Sequence, residues 1–424
     1  MIMKWDIRIV SLTSSKKLVN AVAEPKRPQK QSIKQLGPIE LSANKVIVRV
    51  DFNVPMHNGI ITDDSRIQAA LPTINYLLGN NATVILISHF GRPKEGFCKQ
   101  YSLAPISDRL AELLGQPVIM APACTGNEVS QLIENSESQD VIVLENIRFE
   151  PEEQANGIGL AQQLAALGDL FVQDSFGTVH RNHASTAGIA QYLPSYAGLL
   201  LDKEITILSN AITSPKRPLV AIIGGSKVSS KLHVLVSLLE KVDTLVIGGA
   251  MVYTFLKAQG KSVGKSLCED NQIELAKAFL AQIQTTTTKV IFPVDHRVVT
   301  EVSNDAVVST VSSDNILENH IGVDIGSETV QLIQSELKTA ETIIWNGPLG
   351  IFEIEQFSTG TKAIAQTLAQ SNAVTIIGGG DSAAAIKQAG LSDQMTHIST
   401  GGGASLEFLS NRPLPGIDVL ADHE

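Results

Sequence analysis

Short apolar runs rich in valine and isoleucine alternate with helix-like stretches along most of the chain. Residues 46–50, 83–88, 141–144 and 170–173 have the length and β-branching of strands buried on both faces. Helices are predicted over 65–79, 104–114, 158–167 and 202–212, and further strands near 219, 244, 289, 342 and 373. Such alternation predicts parallel sheets joined by right-handed crossovers. At 424 residues the chain is long for one core, so two domains are expected, divided near the turn-rich stretch 213–218.

The strands of the two halves end differently. In the second half the runs at 219–223, 245–247 and 374–377 lead straight into paired or tripled glycines, and a further triplet occupies 401–403. Glycine lets a backbone turn tightly and approach a ligand closely, which at one edge of a parallel sheet suits phosphates. In the first half the strand ends deliver Asp51 and Asn53, then His89 and Arg92, then Arg148, then Arg181, with Arg66 nearby. Parallel strand ends face one way, so these side chains are expected to converge, and guanidinium groups bind carboxylate and phosphate in bidentate fashion. A lone arginine is most often a solvated surface residue; four that converge, three of them at successive strand ends, do not read that way. Asp51 and Asn53 also suit turns, and His89 a loop position.

In the stretch 224–231 (Gly-Gly-Ser-Lys-Val-Ser-Ser-Lys), Lys227 and Lys231 share a helix face. Asp381 follows three glycines and precedes a predicted helix, a position for a Mg²⁺ ligand beside phosphates or for a helix N-cap. The stretch 260–266 imitates a phosphate-binding loop but is one residue short and follows a helix, so a surface loop is expected. His180 and His183 have no third partner in sequence to make a metal site.

Composition narrows the classes. The net charge of −10 argues against a nucleic-acid coat. No apolar run approaches the ~20 residues of a membrane span. Cys98, Cys124 and Cys268, far apart and odd in number, read as reduced thiols. The first 34 residues carry eight lysines and arginines against two acids. A disordered tail or a start codon placed too far upstream is expected there, with an organelle-targeting peptide as the alternative.

Eight motifs in order carry a resemblance to the phosphoglycerate kinases over about residues 32–424. They are 49–55 (Arg-Val-Asp-Phe-Asn-Val-Pro), 88–93 (Ser-His-Phe-Gly-Arg-Pro), 144–149 (Leu-Glu-Asn-Ile-Arg-Phe) and 176–181 (Phe-Gly-Thr-Val-His-Arg). The others are 224–231, 345–348 (Trp-Asn-Gly-Pro), 378–381 (Gly-Gly-Gly-Asp) and 399–404 (Ser-Thr-Gly-Gly-Gly-Ala). The resemblance implies an α/β chain of two Rossmann-like, three-layer α/β/α lobes with parallel sheets, joined by a hinge helix. It divides the chain into a basic leader (1–31), a lobe for 3-phosphoglycerate (32–200), an interdomain helix (201–213), a nucleotide lobe (214–404) and a return segment on the first lobe (405–424). The leader stands outside the family pattern.

The resemblance further implies phosphoryl transfer between 1,3-bisphosphoglycerate and ADP in glycolysis, by a cytoplasmic monomer using Mg²⁺, without nucleic-acid or membrane partners. Substrate contacts would fall on Asp51, Phe52, Asn53, Arg66, His89, Phe90, Gly91, Arg92, Arg148 and Arg181. Nucleotide contacts would fall on Gly225, Lys227, Lys231, Asn346, Glu353, Gly379, Gly380, Asp381 and Ser382, with Asp381 holding the metal. Arg66, Lys227 and Lys231, with amides near Gly380 and Gly402, would stabilise the transferring group. Hinges are expected in the helix near 202–212 and around Asn346. Two other classes fit the sequence less well. A dinucleotide-dependent dehydrogenase lacks its glycine fingerprint and leaves the arginines unused; a catalytically dead binding protein is disfavoured by the intact set of Arg66, Lys227 and Asp381.

Overall fold

The computed structural model describes residues 29–94 and 96–423. The first lobe is built on strands β1 (Lys45–Arg49), β2 (Thr83–Ile87), β3 (Ile119–Met120), β4 (Val141–Val143), β5 (Leu170–Gln173) and β6 (Ser195–Ala197). They form one sheet of six strands in the order β3-β4-β2-β1-β5-β6, parallel throughout. Strand side chains alternate between faces, and each face meets its own apolar layer. Val46, Val48, Val84 and Leu86 pack on one side; Ile47, Ile85 and Ile87 pack on the other. This two-sided burial is why the strands read as unbroken apolar runs.

The second lobe repeats the plan with β7 (Leu219–Ile223), β8 (Thr244–Ile247), β9 (Lys289–Ile291), β10 (Asp295–Val299), β11 (Ser309–Ser312), β12 (Ile321–Ile325), β13 (Thr342–Asn346), β14 (Val374–Gly378) and β15 (His397–Ile398). Six of these make a second parallel sheet, β9-β8-β7-β13-β14-β15. The other three form a small antiparallel sheet, β11-β10-β12, that the sequence pattern did not announce. The Ser-Thr-Val-Ser run of β11 is largely exposed and has no apolar signature.

Strand order reverses between β1 and β5 in the first sheet and between β7 and β13 in the second, so each lobe has a crevice beyond its strand ends. In the second lobe the loops there touch backbone to backbone. A Cβ on Gly224 would lie 2.5 Å from Gly347 O, which explains the glycine at the end of that strand. The 260–266 stretch faces elsewhere. Lys265 N donates to His320 O at 2.7 Å and Gly322 N to Ser266 Oγ at 2.9 Å, so the loop braces the antiparallel sheet.

Helix α1 (Leu199–Thr213) joins the lobes and starts earlier than the pattern suggested, because Gly198 is its N-cap. Its first turn is held by the first lobe: Leu199 N donates to Thr73 Oγ1 at 2.9 Å, and Leu200 N and Leu201 N to Asp174 Oδ1 at 3.0 and 3.2 Å. One turn on, the fully buried Glu204 reaches the second lobe. It accepts from Thr400 N at 2.7 Å and Thr400 Oγ1 at 2.9 Å, and His397 Nε2 lies 2.8 Å away.

The first and last described segments meet on the first lobe. Ala197 N, on the edge strand β6, donates to Gln31 O at 2.8 Å, and Gln31 N to Ala421 O at 2.9 Å. Residues 29–31 are therefore built into the fold; the rest of the basic leader lies outside the described residues.

Asp174 is fully buried, and that burial pushes its carboxyl up to about 7 against the hydrogen bonds of Thr73, Leu201 and Leu200. Its folded-state value lies above the unfolded one, so the folded chain keeps a proton that the unfolded chain releases. Stability should therefore fall as pH rises through the interval from about 4 to 7, by about 1.4 kcal/mol per pH unit. Asp174→Asn keeps the acceptor for the helix amides and removes the charge. Denaturant unfolding at pH 5 and pH 8 should show a smaller pH-dependent loss in the variant than in the parent.

Candidate active site

The first lobe presents a cationic wall. Asp51 and Asn53 follow β1, His89 to Arg92 follow β2, Arg148 sits on the short turn Ile147–Phe149 after β4, and Arg181 follows β5. Arg66 lies on helix α2, Ser65–Gly79, within reach of Asp51: its Nη1 is 3.2 Å from Asp51 Oδ2 and donates to Asn53 O at 2.9 Å. Asn53 Oδ1 in turn accepts from Gly91 N at 2.9 Å. The buried Asn146 ties the neighbouring loops together. It accepts from Phe90 N at 3.0 Å and Arg148 N at 3.2 Å, and donates to Phe90 O at 2.7 Å. Arg148 donates to Gly91 O. Gly91 has a left-handed φ of +59°, and a Cβ there would run into the Tyr101 ring. The side chains of Phe52 and Phe90 sit in the apolar core, so what these positions offer a ligand is backbone.

Arg49, Arg66, Arg92, Arg148 and Arg181 lie close enough to act on one another. Burial, then the charges of Arg181, Arg49 and Arg92, bring Arg148 down to about 10, so it remains a cation at neutral pH. Burial lowers Arg181 as well. His89 is held well below the usual imidazole range by burial and then by Arg49, Arg148, Arg181 and Arg66, so it is neutral. A half-buried cluster of like charge with a neutral histidine beside it is arranged for a multiply charged anion.

The second lobe presents amides and an ammonium. Gly225, with φ of +120°, and the exposed Lys227 precede helix α3, Val228–Leu238, which carries Lys231. Lys231 Nζ donates to Asn346 Oδ1 at 2.7 Å, while Asn346 Nδ2 is buried without a partner among the described residues. Gly379, with φ of +91°, opens helix α4, Gly380–Gln388, whose first turn holds Asp381 and Ser382. Ser382 Oγ accepts from Gly347 N at 2.5 Å and so joins two of the strand-end loops. The first amides of such a helix have no partner within it and make an anion seat. Asp381 is exposed and forms no hydrogen bond or ion pair among the described residues. Gly402, with φ of +52°, lies just before the last glycine-led helix, Gly403–Leu409. Glu353 stands exposed on a turn and is joined by no hydrogen bond to the Lys231–Asn346 cluster.

The two walls share a gap. Asp51 and Arg66 from the first lobe and Thr400 from the second line one small crevice together with Asp174, Phe176 and Leu200. Lys387, on the helix that carries Asp381, pairs across the lobes with Asp63, three residues before Arg66. Sequence reasoning did not assign roles to Arg49, Asn146, Glu153 or Asp174. Arg49 left a readable signal: it is the one cation in the apolar run 46–50, on the same face as Ile47.

Two α/β lobes that each turn an anion-reading wall toward a shared crevice define a bilobal phosphotransferase. The phosphoglycerate kinase family model matches residues 36–412, and the chain belongs to that family, whose enzymes move a phosphoryl group between 1,3-bisphosphoglycerate and ADP. It is 51% identical over 389 residues to the phosphoglycerate kinase of Pelotomaculum thermopropionicum, covering 92% of this chain and 99% of the relative. It is 52% identical over 394 residues to that of Dictyoglomus turgidum, covering 93% and 99%. The fold superposes on phosphoglycerate kinase from Coxiella burnetii with a TM-score of 0.82 at 44% identity, covering 92% of this chain and 98% of that one. On the enzyme from Pyrococcus horikoshii the TM-score is 0.81 at 31% identity, with the same coverage.

Burial lowers Lys231 to about 8, against the pull of Asp381. A phosphate beside it would raise that value, so binding would take up a proton above pH 8. Affinity for ADP, measured by titration calorimetry, should therefore fall as pH climbs from 8 to 9.5. Lys231→Arg should flatten that fall, because arginine stays charged.

Proposed function

We propose that this chain carries out the phosphoglycerate kinase reaction of glycolysis with the glycerate ligand on the arginine wall and the nucleotide on the glycine-led wall. Asp51, Asn53, Arg66, His89, Arg92, Arg148 and Arg181, with the backbone of Phe52, Phe90 and Gly91, would seat 3-phosphoglycerate. Lys227, Lys231, Asn346, Glu353 and the stretch from Gly379 to Ser382, with Gly225, would seat ADP or ATP. The observation that carries this reading is the crevice shared by Arg66 of one lobe and Thr400 of the other.

Asp381 suits a magnesium ion that is shared with nucleotide phosphates. No group of three or more His, Cys, Asp and Glu side chains among the described residues would cage a metal. A single free carboxylate at a helix start is what Mg²⁺ needs when phosphate oxygens and water complete its shell. The ion, when bound, would neutralise charge on the phosphates. The chain's own part is positioning. The acceptor carboxylate is ionised at pH 7, so no general base and no covalent enzyme intermediate are required. Arg66 and Lys227 would meet charge on the in-line transferring group, and Lys231 and the amides near Gly380 and Gly402 would spread it. Closure about α1 and the Asn346 segment would bring the ligands together and exclude water, which would otherwise hydrolyse the acyl phosphate. Among the described residues no helix is long and apolar enough to cross a membrane. From the family alone we infer a cytoplasmic monomer.

An assay coupling 3-phosphoglycerate and MgATP to a downstream NADH-dependent dehydrogenase tests the reading directly; no NADH consumption with pure protein would refute it. In that assay Arg66→Ala should lower kcat by roughly two to three orders of magnitude with a small change in the KM for MgATP. Asp381→Ala should weaken binding of MgADP in a titration, and unchanged binding would remove the metal assignment.

A further inference from the structure

Behind the cationic wall lies an enclosed polar chain whose members never face the crevice. Glu153 is 1% exposed, and Ser185 and Arg49 are equally buried. Glu153 accepts from Ser185 Oγ at 2.6 Å and from Ser185 N at 2.9 Å, and His183 Nδ1 stands 3.5 Å from the same carboxylate. Burial pushes Glu153 up, but His183, Arg49 and Ser185 outweigh it and hold the carboxyl ionised. Because the Ser185 hydroxyl donates its hydrogen bond to Glu153, its oxygen is free to accept from Arg49 Nε at 3.0 Å. Arg49 Nη1 donates to Val50 O, and Nη2 lies 3.3 Å from His89 Nδ1.

The chemistry of the members sets the direction of each bond. A carboxylate only accepts and a guanidinium only donates. His89 Nδ1 must therefore accept from Arg49. Asp51 Oδ1 would favour the opposite arrangement, but it is farther away, at 3.8 Å. Because His89 is neutral, its one proton then sits on Nε2. Arg181 Nη1 approaches that nitrogen at 3.5 Å and can likewise only donate, but a neutral ring has one accepting nitrogen, which the closer Arg49 contact takes, so Arg181 Nη1 and Nε2–H are left as two donors that look toward one space. An oxygen of an anion fits between them; another donor does not.

We infer that Glu153 is a positioning residue: acting through Ser185 and Arg49, it holds His89 as the Nε2–H tautomer, so that His89 and Arg181 present paired donors to one oxygen of the bound phosphoglycerate. This rests on the proposed seating of that ligand on the first lobe. Glu153 does not touch the ligand. It fixes which nitrogen of His89 carries the proton, and it keeps Arg49 from turning toward the ligand itself.

The test is nitrogen NMR of histidine-labelled enzyme without ligand, with the His89 signals assigned from their loss in His89→Gln. The parent should show a protonated Nε2 and an unprotonated Nδ1 on His89. Ser185→Ala removes one hydroxyl and Glu153→Gln one charge. Each should blur that pattern and raise the KM for 3-phosphoglycerate roughly tenfold, as loss of a buried charge-assisted hydrogen bond implies, with the KM for MgATP nearly unchanged. A parent His89 protonated on Nδ1 would overturn the inference, as would a Ser185→Ala enzyme with unchanged His89 shifts and unchanged KM. The tautomer is read in the free protein, so it judges the positioning chain separately from the ligand. If parent His89 signals did not move on addition of 3-phosphoglycerate, the seating of that ligand and the paired-donor role would fall together, whatever the tautomer.

Discussion

Like charge held close together on a folded surface is the constraint around which this molecule is organised. At an effective dielectric near 20, two cations 4 Å apart repel by about 4 kcal/mol. Arg66, Arg92, Arg148 and Arg181 nevertheless occupy one wall with Arg49 buried behind it, and Asp51 is the acid paired to Arg66. Such a wall persists only if its backbone is fixed by something other than the charges. The fixing groups are uncharged: Asn146 on the Phe90 loop, Asn53 on Gly91, and the apolar layers that bury Phe52 and Phe90. An anion arriving there would relieve that repulsion, an arrangement suited to ligands carrying several negative charges.

The second lobe solves the complementary problem. Its loops are narrow and glycine-led, which would suit a nucleotide, a ligand that carries its own charge and needs donors that can approach closely. Their packing is backbone on backbone, as Gly224 against Gly347 shows, and the fixed side chains between them are Asn346 and Ser382. One lobe is thus built from long cationic side chains and the other from exposed main chain. On the proposed seating, phosphoryl transfer across the crevice would use that division, with one partner gripped by its charges and the other threaded past close walls.

Much of this was legible beforehand. The helices Ser65–Gly79 and Ala104–Leu114 and the strand Leu170–Gln173 lie where apolar periodicity placed them, because long regular segments buried on known faces carry strong patterns. The short edge strands β3 and β6 went unread, being two and three residues long, and so did the half-exposed antiparallel sheet. At the site, strand-end arginines and glycines could be read because parallel topology alone brings them together. Asn146, Glu153, Asp174 and Glu204 could not, because their importance comes from what they touch far along the chain: Glu204 meets His397 and Thr400 nearly two hundred residues on. Nothing in local pattern marks a buried carboxylate as a clamp.

The pairing of Gln31 with Ala421 has a consequence for how the molecule is made. The edge of the first sheet is continued by Gln31, and Gln31 is itself bonded to Ala421. A ribosome delivers Ala421 only after the entire second lobe has emerged. The lobe translated first is therefore the one completed last, and until the final residues arrive its outer border lacks a partner. The order of synthesis and the order of assembly run in opposite directions, which binds the fate of each half to the arrival of the same short tail.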